Sequence, residues 1–118
     1  MGFRERLQEV CQVEGAVLAC VMGFDGIAVD TLAPKAEGLD ADTLLVEYSA
    51  LLDQVRRAAA SLGNGALEEL TVRTEKLTAL LRPIDENYFL FLALEPEGNF
   101  GKGRFLLRVT APKLLEEL

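Results

Sequence analysis

The stretch Val17 to Asp30, VLACVMGFDGIAVD, contains two apolar runs joined by Phe24, Asp25 and Gly26. An Asp-Gly pair between extended runs supplies the positive φ that a tight hairpin needs, so we expect the runs to pair as antiparallel strands. One helical segment precedes this hairpin, and helix, strand, strand, strand and helix follow it. That order predicts an α+β fold (αββαβββα) in a single domain, residues 1–118.

The composition limits the classes of partner. The chain has 118 residues, of which 50% are apolar and 26% charged, enough for one compact core without disulfides. Its formal net charge of −7 would repel the phosphates of a nucleic acid or an anionic lipid surface. No run reaches the ~18 apolar residues of a membrane span, and the first residues lack the order of a signal peptide. We therefore expect a cytoplasmic protein with no nucleic-acid partner and no membrane insertion.

Hydrophobic patterns place the strands in a single five-stranded antiparallel sheet. Ala16–Met22 and Tyr88–Leu94 are continuously apolar, as is typical of central strands covered on both faces. The second strand, Ile27–Leu32, is mixed and stops before a proline, which suits an edge. The third strand, Leu67–Thr74, alternates in polarity and turns into the fourth, Leu77–Ile84. The predicted order is 2-1-5-4-3.

Three helices should cover this sheet, with the long second helix on one face and the first and last helices on the other. Asp40 or Asp42 can cap the second helix, which runs to Gly63. Its predicted buried stripe consists of Leu44, Leu45, Tyr48, Leu51, Leu52, Val55, Ala59 and Leu62. Pro112 interrupts the helical pattern of the last segment and should either kink that helix or divide it in two.

The opposite face of the second helix is not uniformly charged. It presents three small apolar residues among polar ones, namely Val46, Ala50 and Ala60 beside Asp53, Gln54 and Arg57. One interpretation is a surface of scattered alanines with good helix propensity. The other is a second packing seam, because small side chains let another helix approach closely.

Residues that carry chemistry are few. The chain has no histidine, which removes the commonest general base and metal ligand. Capping explains Asp40 and Asp42 better than cation binding does, and apolar surroundings make Cys11 and Cys20 core residues. The glycines of Gly98–Gly103 do not match a nucleotide-binding motif, so we expect them to let the last helix pack close to the fifth strand. We predict no enzyme, no catalytic residue, no cofactor and no metal.

The arrangement over the whole chain resembles the roadblock family of dynein light-chain-like proteins. The local matches are EGAVLACVMGFDGIAVD, the long helix after it, and NFGKGRFLL at the start of the last helix. Pro112 departs from the unbroken last helix usual in the family. The resemblance implies a homodimer in which the third strand pairs with its symmetry mate while the long helices lie side by side.

The residues of the third strand favour the same edge. This strand has no proline, and it places Leu70 and Val72 on one face and Thr71 and Arg73 on the other, with its backbone open. The predicted dimer should bury on the order of 800 Å² per chain. Its predicted interface consists of Val46, Ala50, Ala60, Leu70, Thr71, Val72 and Arg73.

The resemblance also implies a partner, since roadblock proteins commonly bind Ras-like small GTPases, either as activators or as platforms. Binding through the paired second helices would use Asp53, Gln54 and Arg57. An activator either inserts an arginine or repositions the GTPase's switch residues, and we favour repositioning because nothing singles out Arg56, Arg57 or Arg73 as a finger. Two alternatives are a scaffold that is indifferent to the nucleotide and a small-ligand sensor, which needs an internal cavity.

Overall fold

The computed structural model describes residues 2–118 and contains the predicted elements in the predicted order. The helices are α1 (Phe3–Val10), α2 (Ala41–Ser61) and α3 (Phe100–Leu115), and the strands are β1 (Ala16–Gly23), β2 (Ala28–Leu32), β3 (Leu70–Arg73), β4 (Thr78–Pro83) and β5 (Tyr88–Leu94). They form one sheet in the order β2-β1-β5-β4-β3, and every neighbouring pair is antiparallel. The α+β class and the strand order are both confirmed.

The β1–β2 hairpin turns where the sequence indicates. Gly26 takes a φ of +87° and its N–H donates to the carbonyl of Gly23 over 3.0 Å. The Asp25 carboxylate accepts the N–H of Ile27 at 3.0 Å, which holds the far side of the turn. Gly26 alone supplies the positive φ within this turn, and the glycine satisfies it without the steric cost of a Cβ atom.

Side chains alternate between two cores because helices cover both faces of the sheet. Leu7 from α1 and Leu107 from α3 pack with Val21 on one face. Leu45 and Leu52 from α2 pack with the other face. All residues of β1 are buried, as expected of a central strand with no solvated side. The predicted placement of the three helices is therefore confirmed.

The structure decides two details of the helices that the sequence leaves open. The carboxylate of Asp40 accepts the N–H of Thr43 at 3.1 Å, so Asp40 is the cap of α2. Pro112 lies inside the continuous helix α3, which excludes a division into two helices. Its ring is exposed and it lies in the last turn, where the missing N–H removes one hydrogen bond and leaves the packing of Ala111 and Leu114 intact.

Gly103 brings α3 close to the sheet, as the sequence predicts. A Cβ atom on Gly103 would lie 2.9 Å from Cδ1 of Leu80 and 3.3 Å from a methyl of Leu92 and of Leu94. Gly101, on the exposed side of the same helix, has no such neighbour within 4 Å. The two glycines therefore differ in packing while sharing a helix.

We expect Gly101→Ala and Gly103→Ala to have opposite effects on stability. Alanine at position 101 should raise the free energy of unfolding by about 0.5–1 kcal/mol through helix propensity. At position 103 overpacking against three buried leucines costs about 1–3 kcal/mol and should outweigh that gain. Urea denaturation of the two variants and the wild type measures the difference, and equal stabilisation of both would contradict the close packing.

Candidate interaction surface

Residues 2–118 contain no cluster of side chains that could hold a metal ion. No group of three or more histidine, cysteine or acidic side chains lies together in this part of the chain, and none of its helices is long and apolar enough to cross a membrane. Burial raises the pKa of the Cys20 thiol and raises that of Cys11 to about 11. Both thiols are therefore protonated at neutral pH and are poor nucleophiles. The candidate interaction surfaces are the sheet edges and the outer side of α2.

β3 is an edge strand whose two faces differ as predicted. Leu70 and Val72 pack into the core on the α2 side of the sheet. Arg73 lies on the α3 side, with its guanidinium carbon 4.8 Å from the ring centroid of Phe100. β4 pairs with β3 along one side only, so the other side of β3 is open in this chain.

The hydrogen bonds to β4 show which backbone groups of β3 are open. The N–H of Thr74 donates to the carbonyl of Leu77 at 2.9 Å, and Val72 lies opposite Ala79. In an antiparallel ladder the directions alternate, so the groups of Leu70 and Val72 point to β4. Those of Thr71 and Arg73 point away from β4, to the open edge. Unpaired N–H and C=O groups in a row form a template for another strand.

The opposite edge, β2, is partly covered. Arg4 of α1 forms an ion pair with Asp30 at 2.8 Å and also donates to the carbonyl of Thr31 at 3.4 Å. The β1–β2 register also shifts between Val21 and Met22, which twists the edge. β3 is therefore the better edge for pairing with another chain.

The outer side of α2 has two flanks of different chemistry. The apolar flank repeats every three or four residues and consists of Leu44, Tyr48, Leu51, Val55, Ala58 and Leu62. The mixed flank, on the other side of the helix, consists of Val46, Ala50, Asp53, Arg57 and Ala60. The sequence assigns most of the apolar flank to the core, but Leu51 is 36% exposed and Leu62 is 73% exposed. The periodicity of apolar residues identifies which face of the helix is apolar, but it does not show how much of that face the sheet covers.

The two flanks face opposite edges of the sheet. Val46 lines a groove with Met22, Ala28 and Thr31, so the mixed flank lies on the β2 side. The apolar flank lies more than a third of a turn away around α2 and therefore faces the β3 side. The predicted seam residues Val46, Ala50 and Ala60 therefore lie on the β2 side of α2, away from β3, whereas the apolar flank faces the β3 side.

Asp53 organises the polar part of the mixed flank. Its two carboxylate oxygens pair with Arg56 at 2.7 Å and with Arg57 at 2.5 Å. The hydrogen bond from Arg56, with the charge of Arg57, lowers the pKa of Asp53. Gln54 is exposed beside this pair. Of the three predicted partner-binding residues, Asp53 and Arg57 therefore engage each other, and Gln54 faces outward.

Arg56 is a structural residue that the sequence does not reveal. Its guanidinium carbon lies 3.7 Å from the ring centroid of Phe24, and it donates to the carbonyl of Glu86 at 2.8 Å. It therefore ties α2 to the β1–β2 and β4–β5 turns. No local sequence pattern predicts these contacts, because the three segments are distant from one another in the sequence.

Comparisons with solved structures place the chain among known proteins. MglC from Myxococcus xanthus is 50% identical over 100% of both chains, with a TM-score of 0.72. A roadblock/LC7 domain from Streptomyces avermitilis is 14% identical, covering 97% of this chain and 95% of that one, with a TM-score of 0.82. The gliding protein MglB from Thermus thermophilus is 19% identical over 97% and 86%, with a TM-score of 0.84. The last two show the fold alone, and neither a family model nor a curated protein matches.

Asp53→Asn should make the stability of the protein depend less on pH in the acid range. A carboxylate whose pKa is lowered on folding stabilises the protein above its unfolded pKa of about 3.9, and that stability is lost as the pH falls through the folded value. Without Asp53 the loss between about pH 5 and pH 2 should be smaller, with Asp40 and Glu69 still contributing.

Thermal unfolding monitored by circular dichroism across this pH range measures the effect. Glu47→Gln removes one exposed carboxylate from the same helix and is the matched control. The same pH dependence in the acid range for Asp53→Asn and the wild type would show that the ion pairs contribute nothing to folding.

Proposed function

The chain belongs to the roadblock/LC7 family, and we propose that it is a cytoplasmic, non-enzymatic homodimer that regulates a Ras-like small GTPase. The observation that carries the proposal is that the open edge of β3 and the partly exposed apolar flank of α2 face the same side of the domain. Two-fold pairing of β3 would satisfy the open backbone groups and bring two apolar flanks together over the joined sheet. The paired α2 helices then form the surface offered to the GTPase.

The faces of β3 restrict how two copies can pair. Residues directly opposite each other in an antiparallel pair share a face, so a register that sets Leu70 against Arg73 of a second copy would mix the core face with the α3 face. A symmetric pair must therefore place one residue opposite itself. Thr71 and Val72 are the central choices.

Charge selects between these two registers. With Val72 on the axis, Glu69 of one copy would lie opposite Glu75 of the other, and like charges directly opposite are destabilising. With Thr71 on the axis, Glu69 lies opposite Arg73 and Leu70 opposite Val72. Thr71, Arg73 and Glu69 then also present their outward backbone groups to one another. We propose the Thr71 register.

Charge reversal tests this dimer. Arg73→Glu would place two acidic side chains opposite each other twice, and we expect it to weaken dimerisation by about tenfold. Adding Glu69→Lys restores opposite charges and should restore the dimer. Lys76→Glu, the same charge change in the exposed β3–β4 turn, is the control. Light scattering at micromolar concentration measures the masses, and a monomeric wild type would contradict the proposal.

The contacts of the three candidate arginines, Arg56 and Arg57 on α2 and Arg73 on the opposite face of the sheet, favour repositioning of switch residues over an inserted arginine. Asp53 holds Arg56 and Arg57, and Phe100 stacks under Arg73. Withdrawing one of them into a phosphate site would cost these contacts. The proposed contacts with the GTPase are therefore made by Gln54, the Asp53–Arg57 pair and the small residues of the mixed flank.

Binding to purified Ras-like GTPases from the same organism tests the partner. We expect at least about tenfold tighter binding to one nucleotide state, GDP or a non-hydrolysable GTP analogue. Gln54→Arg should weaken binding by about 1–2 kcal/mol by placing bulk and charge in the contact, while Lys35→Ala on a distant loop should not. Calorimetry gives both affinities.

Hydrolysis rates separate the mechanisms. Arg57→Ala should leave the rate per bound GTPase unchanged, whereas loss of stimulation at full occupancy would indicate an inserted arginine. Equal affinity for both nucleotide states would favour the alternative function, a scaffold that recruits proteins without sensing the nucleotide.

A further inference from the structure

A cleft lined by arginines lies between α3 and the segment that leads into β3, on the face of the sheet opposite α2. Its volume is about 330 Å³, near the lower end of the range for ligand sites. Three arginines, one phenylalanine, one glycine and two glutamates line it: Arg82, Arg104, Arg108, Phe105, Gly101, Glu68 and Glu69. We call it the arginine cleft.

The cleft already holds one carboxylate of the chain itself. Arg104 donates to both oxygens of Glu69, with its Nε 3.3 Å from Oε2. The hydrogen bond from Arg104, together with the charges of Arg82 and Arg108, lowers the pKa of Glu69. Arg104 therefore binds this carboxylate through two of its nitrogens, and the guanidinium groups of Arg82 and Arg108 line the same cleft.

An apolar platform lies next to these charges. The side chain of Phe105 is 51% exposed, and the guanidinium carbon of Arg108 lies 5.5 Å from its ring centroid. The cleft thus combines cationic groups with an aromatic face. A segment that carries both carboxylates and an apolar side chain would use both features, whereas an inorganic anion would use only the charges.

The net charge of the whole chain limits the class of ligand that the cleft can bind. The cleft is a local excess of positive charge on a protein whose net charge is −7, and Glu68 lies at the same site. Long-range repulsion disfavours a nucleic acid with its continuous row of phosphates. A short peptide with a few carboxylates can pair with the arginines of the cleft and is repelled less by the net negative charge of the chain.

We propose that the arginine cleft binds an acidic peptide segment of a partner protein, whose carboxylates pair with Arg82, Arg104 and Arg108 and whose apolar side chain packs on Phe105. Glu69 acts as the internal competitor that such a segment displaces from Arg104. This site is separate from the α2 surface and does not depend on the GTPase assignment.

A peptide array tests the proposal with the full chain. One set of nine-residue peptides carries three or four Asp or Glu residues and one Phe or Leu, and the matched set replaces each acid by its amide. We expect retention of acidic peptides over their amide versions, and affinities of the retained peptides that fall steeply with added salt. No preference for the acidic set would overturn the proposal.

Variants then locate the site by fluorescence anisotropy with the best acidic peptide. Arg82→Gln with Arg108→Gln should weaken binding by about tenfold, whereas Lys35→Glu, an exposed change on a distant loop, should not. Glu69→Gln should tighten binding by about threefold or more, because it removes the internal competitor. A merely structural role of Glu69 would give no gain.

Three further outcomes would overturn the proposal. One is unchanged affinity in the double arginine variant while its circular dichroism spectrum matches the wild type. Another is weaker binding for Glu69→Gln. The third is stronger retention of a single-stranded oligonucleotide than of any acidic peptide at the same salt concentration, which would assign the cleft to nucleic acid.

Discussion

The sheet of this protein is covered on both faces, and this constraint determines the rest of its surface. Because β1 and β5 have no solvated side, each residue of a strand belongs to one core or the other, and a slip of one residue would exchange them. The register therefore extends unambiguously across β4 to β3. This register places Leu70 and Val72 on the α2 face and Thr71 and Arg73 on the α3 face. It also determines which backbone groups of β3 remain open.

The same constraint gives α2 its two flanks. A helix of 21 residues lying on one sheet covers only a strip of its own surface, here centred on Leu45, Ser49 and Leu52. The side chains on either side of this strip are only partly buried, so those that face the β2 edge of the sheet can differ in polarity from those that face the β3 edge. On the β3 side they stay apolar, and on the β2 side an acidic residue and its arginines interrupt them. The helix is therefore asymmetric in a way that suits one homotypic contact and one polar contact.

The sequence predicts the fold well because its strongest signals are local. The continuous apolar runs of β1 and β5 and the Asp25–Gly26 turn need no distant information. The outer limit of the apolar stripe was wrong at Leu51 and Leu62, since coverage by the sheet is a tertiary property. Arg56 and the arginine cleft were missed because their members come from segments that meet only in the folded chain. Within its own segment, each of Arg82, Arg104 and Arg108 has the pattern of a common surface arginine and does not indicate a binding site.

Glu69 connects the two surfaces. It immediately precedes β3 and lies on the same face as Arg73, so the hydrogen bonds from Arg104 fix the entry to the open edge. In the proposed dimer the same carboxylate faces Arg73 of the other copy. A carboxylate shared between two cations binds each of them less strongly than it would bind one alone, so an acidic segment that takes Arg104 would strengthen the pairing of Glu69 with Arg73 of the other copy. Occupation of the cleft and pairing of β3 would then favour each other, by the reciprocity that links any two binding equilibria.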